Sequence, residues 1–256
     1  MNLATWNVNS LSVRLPQLLE WLAANPQDAM VLQETKLTDD KFPHAELEAA
    51  GYAAQWFGQK TYNGVALLTR GTAAADVVRN IPAFDDQQAR VLAGTVAGMR
   101  IVGAYFPNGQ SPGSDKFTYK LRWMEALRDW VAAELAANPK VVLMGDFNIA
   151  PEDRDVYDPV LWAGQIHCTP EERQHFQQLL GIGLVDAFRL FDQPPKSWSW
   201  WDYRGLAFRK NQGLRIDHIL VGEALRTRVA SCTIDKVQRK NERPSDHAPV
   251  LLTLRD

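Results

Sequence analysis

The stretch KVVLMGDFN, residues 140–148, decides the fold. Val141 to Met144 form an apolar run rich in β-branched residues and too short for a helix, so it reads as a strand buried on both faces. Gly145 then breaks the run, and Asp146 and Asn148 fall at its edge. Runs of the same kind recur in both directions: LATWN at 3–7, AMVLQ at 29–33, GVALLT at 64–69, RIVGAY at 100–105, RIDHILV at 215–221 and APVLLTL at 248–254. Between them, Leu15, Leu18, Leu19 and Leu22 make one helical stripe, and Phe117, Leu121, Met124, Leu127 and Val131 make another. A further helix is expected in TPEER and beyond, where Thr169 is the N-cap, Pro170 takes the first position and Glu172 completes a capping box. Its apolar stripe is Phe176, Leu179 and Leu180, and Gly181 ends it. Strands alternating with helices, with no repeat, low-complexity tract or linker, predict a single α/β domain over residues 1–256. The Pro- and Trp-rich segment 192–213 is expected to be a long functional loop.

The composition narrows the setting rather than the chemistry. With 46% hydrophobic residues in 256, the chain can bury a substantial core. No run approaches the roughly 20 apolar residues of a membrane span, and MNLATWNVNS lacks the features of a signal peptide. The two cysteines, Cys168 and Cys232, suit a reducing compartment, so a soluble cytoplasmic protein is expected. A formal charge of −2 announces no nucleic-acid partner globally, though a local basic face is compatible with it.

The chemistry-bearing residues sit at the ends of the apolar runs. Asn7 follows LATW, Glu34 follows AMVLQ, Tyr105 closes RIVGA, Asp146 and Asn148 follow VVLMG, and Asp246 with His247 precedes the last run. Each alone has a structural explanation as a turn or a solvated end. Together, Glu34, Asp146 and Asp246 with the amides of Asn7 and Asn148 form an all-oxygen set suited to Mg²⁺ or Mn²⁺. His247 adds a group titrating near neutrality, and Asp217 is a candidate to fix its tautomer. Such a set points to phosphoester hydrolysis. His167 and Cys168, side by side before a helix start, lack the four or so ligands of a structural zinc site.

WNVNSL, LQETK, NGVALLTR, RIVGAYFPNG, DKFTYKLRWMEAL, VVLMGDFNIAP, GLVDAFR, SWWDYR, GLRIDHIL and PSDHAPV, in this order over nearly the whole chain, resemble the exonuclease III and abasic-endonuclease family. The resemblance implies a four-layer sandwich, two mixed β-sheets face to face with helices outside and the active site at one edge. It implies that Asn7, Glu34 and Asp246 lie at the metal and that Asp146 handles the proton of water or leaving group. It also implies that Asn148 stabilises developing charge, that Tyr105 sits at the scissile phosphate, and that Asp217 and His247 contact the phosphate. Which of Asp146, Tyr105 and His247 activates the water stays open. Trp200, Leu214 and Ile216 match the elements bordering a flipped abasic sugar or terminal nucleotide. Lys60, Tyr62 and Arg90 match positions approaching the DNA backbone. Exposed aromatics of the 199–204 loop would stack or wedge against bases.

One position departs from the family pattern: His167 stands where a small residue is usual. An imidazole there would crowd a strand running on past the scissile phosphate more than a 3′ end. The expected function is therefore a Mg²⁺-dependent 3′-to-5′ exonuclease with 3′-phosphatase and 3′-trimming activity on double-stranded DNA. Abasic-site incision would be weak or lost, and a monomer is expected. The alternatives are a full abasic endonuclease, a phosphatase of another substrate on the same fold, and a catalytically dead DNA-binding protein.

Overall fold

The computed structural model describes residues 1–255. Its strands, in chain order, are β1 (Asn2–Asn7), β2 (Ala29–Gln33), β3 (Tyr52–Phe57), β4 (Val65–Arg70), β5 (Ala75–Arg79) and β6 (Val91–Val96). They continue with β7 (Met99–Tyr105), β8 (Val141–Asp146), β9 (Leu184–Asp186), β10 (Asp217–Gly222), β11 (Val229–Ile234) and β12 (Val250–Leu254). The helices are α1 (Leu11–Ala24), α2 (His44–Ala49), α3 (Asp115–Ala137), α4 (Pro159–Trp162) and α5 (Pro170–Gly181). One sheet runs β11-β12-β1-β2-β4-β3 and the other β5-β6-β7-β8-β10-β9. Each contains one parallel pair, β1 with β2 and β7 with β8, and is otherwise antiparallel. Both sheets are therefore mixed, as expected.

The central strands are apolar throughout because both of their faces are covered. Alternate residues point opposite ways along a strand. Leu3, Val31, Leu67 and Leu252 of the first sheet thus meet Leu92, Ile101, Val142 and Met144 of the second. On the outer face of the first sheet, Ala4, Trp6, Met30 and Leu32 pack against Leu11, Leu18, Trp21 and Leu22 of α1. On the outer face of the second, Val102, Leu143 and Leu220 pack against Trp123, Leu127 and Val131 of α3 and Phe176 and Leu179 of α5. The result is the expected four layers. The sheets approach so closely at Gly103 that a Cβ there would lie 2.4 Å from a methyl of Val31.

Five strands carry no hydropathy signal of the kind used above: β3, β5, β6, β9 and β11. Four of them are the outer strands of the two sheets. An edge strand is half-exposed and carries polar residues, so its sequence does not alternate cleanly or run apolar. The fifth, β6, is interrupted by Gly94, which weakens a strand pattern. α5 is capped as expected, with Thr169 Oγ accepting from the Glu172 N–H and the Glu172 carboxylate accepting from the Thr169 N–H. No helix among the described residues is long and apolar enough to cross a membrane.

Candidate active site

Register places the site. In the second sheet Tyr105 of β7 pairs with Asp146 of β8, and Asp146 pairs with Asp217 of β10. Three reactive side chains thus stand in one row at the strand ends. In the first sheet β1 ends at Asn7 opposite Gln33, with Glu34 following at φ +52°. Packing the sheets face to face closes the set. Asn7 Nδ2 donates to Glu34 Oε1 at 2.8 Å and to Asp146 Oδ2 at 2.9 Å, bridging the sheets, and the Tyr105 hydroxyl donates to Glu34 Oε1 at 3.0 Å.

His247 enters from the turn before β12. Its Nδ1 lies 2.9 and 3.1 Å from the two Asp217 oxygens, and its Nε2 lies 3.7 Å from Asp146 Oδ2. Asp217 is oriented in turn by Ser199, whose hydroxyl donates to Asp217 Oδ2 at 2.6 Å and accepts from the Ile216 and Asp217 N–H groups. Ser199 was not among the expected site residues. Nothing in its local sequence distinguishes it from a loop serine, because its partner lies 18 residues away.

Burial and crowding then set the protonation states. Burial, reinforced by the charges of Asp217 and Glu34, raises the Asp146 carboxyl to about 7 against the opposing pull of His247. Burial alone would lower His247, but Asp217 and Asp146 outweigh it and raise the imidazole to about 10. Burial and the charges of Glu34 and Asp146 push the Tyr105 hydroxyl well above its usual value. At neutral pH, His247 is therefore a cation, Tyr105 a neutral donor, and Asp146 divided between acid and base.

Glu34, Asp146 and His247 each place a ligand atom within 4.8 Å of the others, a cluster that could hold a metal ion. Carboxylates exceed cations here, and the oxygens are hard donors, which fits a divalent ion of the Mg²⁺ type. Asp246 is placed differently: its oxygens accept from Asn9 Nδ2 and Trp200 Nε1, both at 2.9 Å. Asn7 turns its N–H groups, not its oxygen, toward the carboxylates, while Oδ1 accepts from the Asn9 N–H. Lys36 Nζ lies 2.9 Å from Glu34 Oε2 and also donates to Asn9 Oδ1. Asn148, at φ +52°, gives its backbone N–H to Asp146 Oδ1 at 2.9 Å and its side-chain amide to the Phe106 carbonyl. Asn108 joins it, its Nδ2 3.4 Å from Asn148 Oδ1.

The chain as a whole is similar to known proteins. The sequence profile of the Endonuclease/Exonuclease/phosphatase family matches residues 4–247. The chain belongs to that family. It is 34% identical to the exodeoxyribonuclease III of Haemophilus influenzae over 98% of each chain. Among solved structures it is 49% identical to NExo of Neisseria. A form described as a 3′ phosphatase bound to a product DNA hairpin has a TM-score of 0.97 and 99% of each chain covered. A form described as a 3′-5′ exonuclease has a TM-score of 0.98 with both chains fully covered. An AP endonuclease of Archaeoglobus fulgidus follows at 32% identity and a TM-score of 0.94, with 99% of each chain covered. The expected family is thereby shown, and with it the expected class of enzyme, a hydrolytic nuclease.

Seen in this family's frame, the remaining residues divide. Leu214 and Ile216 are buried with Val156 and Cys168 in an apolar wall, against which Trp162 and Trp200 pack. Trp200 joins that wall to Asp246 through its indole N–H. Trp201 is fully buried, edge-on to Phe208 at 5.1 Å, so it is a core residue and not an exposed wedge. In the same loop the exposed large hydrophobic side chains are Tyr203 and Leu206. Tyr62 and Arg90 line a cleft of about 550 Å³ together with Tyr105, Asn108 and Lys116. Tyr62 is exposed, whereas Arg90 is buried, its guanidinium 5.0 Å over the Tyr105 ring and bonded to the Tyr105 carbonyl. Lys60 is exposed beside this cleft's Gln59 and Tyr62. His167 is buried at φ +74°. Its Nδ1 donates to the Asn148 carbonyl at 2.8 Å, and burial lowers its pKa to about 4, so the ring is neutral with the proton on Nδ1.

Proposed function

We propose that this protein is a divalent-metal-dependent phosphodiesterase of double-stranded DNA that works from 3′ ends, as a 3′-to-5′ exonuclease and 3′-phosphatase. One observation carries the reading: Asn7 bridges Glu34 and Asp146 across the two sheets, and His247 Nε2 lies 3.7 Å from the same Asp146 oxygen, which sets a carboxylate pair suited to a cation beside a donor suited to a phosphoryl group. Asp146 takes a proton from the attacking water as its oxygen bonds to phosphorus, the bond between phosphorus and the 3′ oxygen breaks, and that oxygen takes up a proton from solvent to leave as a hydroxyl. His247, held by Asp217, and the Tyr105 hydroxyl donate to the phosphoryl oxygens as charge builds there. Glu34 and Asp146, with Asp246, would hold Mg²⁺ or Mn²⁺, which would supply further charge neutralisation when bound. Asn7 aligns the two carboxylates, and Asn148 fixes Asp146 through its N–H. Trp200, Leu214 and Ile216 wall the terminal sugar, while Lys60, Tyr62 and the Arg90-braced cleft follow the strand, giving salt-dependent affinity. The Neisseria neighbours described as 3′ phosphatase and 3′-5′ exonuclease support this choice of substrate end. We further place the protein in the cytoplasm as a monomer.

His167 would set the balance against incision at internal abasic sites. Its imidazole would crowd a strand running on past the scissile phosphate beside Asn148, and its hydrogen bond to the Asn148 carbonyl holds the ring in place. The test is duplex DNA carrying, in separate samples, a recessed 3′ end, a 3′ phosphate and an internal abasic site. The first two should be consumed with Mg²⁺ and the third slowly. Asp146→Asn should lose roughly 10²–10⁴-fold in rate on all three. His167→Gly should raise abasic incision roughly tenfold or more relative to 3′-phosphate release. Free phosphate from an inositol phosphate, with no action on DNA, would overturn the substrate; an unchanged ratio in His167→Gly would overturn its role.

A further inference from the structure

Beneath the catalytic row lies an ion pair that reaches it only through the main chain of Asn108, Asn148 and His167. Lys120 of α3 and Glu172 of α5 are both fully buried, and Lys120 Nζ donates to Glu172 Oε1. The other two ammonium protons go to main-chain carbonyls, Asn148 at 2.7 Å and Asn108 at 3.2 Å. All three donors of Lys120 are thereby used. Glu172 is equally committed: Oε1 also accepts from the His167 N–H at 3.1 Å, and Oε2 accepts from the N–H and hydroxyl of Thr169 at 3.1 and 2.9 Å. A capping box needs only the Thr169 bonds. The bonds to Lys120 and His167 go beyond capping.

Both segments that the pair grips are strained. Asn148 and His167 are non-glycine residues in the left-handed region, at φ +52° and +74°. Such conformations cost about 1 kcal/mol or more each and persist only where the surroundings over-determine them. Lys120 and His167 Nδ1 both hold the Asn148 carbonyl, and the backbone so held directs its N–H at Asp146 Oδ1. A buried ion pair contributes little stability beyond what apolar side chains of similar volume provide. What apolar side chains lack is the means to orient two carbonyls.

We infer that Lys120 and Glu172 are positioning residues that act on the reaction through Asn148, fixing the backbone that aims Asp146. The inference rests on the reaction proposed above. The test compares wild type with Lys120→Met/Glu172→Leu, in which apolar groups replace the pair, using Mg²⁺-dependent release of phosphate from a 3′-phosphorylated duplex. The expected result is a kcat lower by roughly 30-fold with KM within about threefold, as for a misplacement near 1 Å, and a thermal midpoint lower by a few degrees from the lost Thr169 and His167 bonds, which a purely structural role would show without the fall in kcat. In an Asp146→Ala background, where the carboxylate that the Asn148 N–H aims is gone, the same double substitution should cost less than about threefold in the residual rate. Should the double variant not fold, Glu172→Gln keeps the Thr169 bonds and is judged by the same two comparisons, with a kcat loss of about fivefold expected. Unchanged kcat in a folded variant, or an equal loss with and without Asp146→Ala, overturns the inference. Wild type inactive on every DNA substrate overturns the reaction itself, a distinguishable failure.

Discussion

His247 shows how a residue's charge is decided by neighbours remote in the chain. Asp217 is 30 positions away and Asp146 about a hundred, yet together they raise its pKa from 6.5 to about 10 against the effect of burial. A group whose folded pKa lies above its unfolded value contributes stability that is complete below the unfolded value and lost as pH climbs through the folded one. Urea unfolding in chelator should therefore show wild type losing on the order of 3–5 kcal/mol between pH 6.5 and 10 that His247→Asn does not lose. Parallel losses in the two proteins would mean that His247 is not held as a cation. The residue types themselves were legible, because Asp and His beside a strand start have little structural use. Their protonation was not, since it depends on charges that only folding brings within 4 Å.

Among the elements, the β7–β8–β10 ladder matters most. It sets Tyr105, Asp146 and Asp217 side by side, and a slip of one residue would turn each to the opposite face. Gly145 keeps β8 close to β7: at φ +155°, a Cβ there would lie 1.8 Å from the Ala104 carbonyl oxygen. Gly145→Ala should accordingly cost about 3 kcal/mol in urea unfolding and depress kcat by moving Asp146; an unaltered unfolding midpoint would refute this account of the ladder. The inner strands other than β6 were readable as apolar runs because two covered faces favour apolar residues along most of their length. The edge strands β3, β5, β9 and β11 were not, because hydrogen bonding to a neighbour places them and not burial of both faces.

For the whole molecule, the decisive fact is that the site is shared. Asn7 and Glu34 come from one sheet, Tyr105, Asp146 and Asp217 from the other, and His247 from the turn before β12. β12 itself pairs with β1, so the two ends of the chain lie in adjacent strands. A cation bound between Glu34 and Asp146 would tie the layers together. Mg²⁺ or Mn²⁺ at about 100 times its Kd should stabilise the folded state by about 2.7 kcal/mol and raise the thermal midpoint by roughly 5–10 °C. The transition should stay single and cooperative, as expected of one domain over 1–256. Chelator should reverse the rise, and Glu34→Gln should abolish it; a cation effect of equal size in Glu34→Gln would place the ion elsewhere.

The sequence by itself determined the inner strands other than β6, the capped α5 and the reactive residues at the strand ends, because each follows from local hydropathy, local turn chemistry or a short motif. It also marked His167 as a departure. Only the tertiary structure decided which of those residues meet. It put Asn7 between Glu34 and Asp146, 139 positions apart from the latter. It tied Asp246 to Asn9 and Trp200, sank Trp201 into the core, and joined Lys120 to Glu172 beneath Asn148. Hydrogen bonds, desolvation and Coulomb energy act through space over a few ångströms. Where such distances span residues far apart in the chain, the order of residues alone does not contain them.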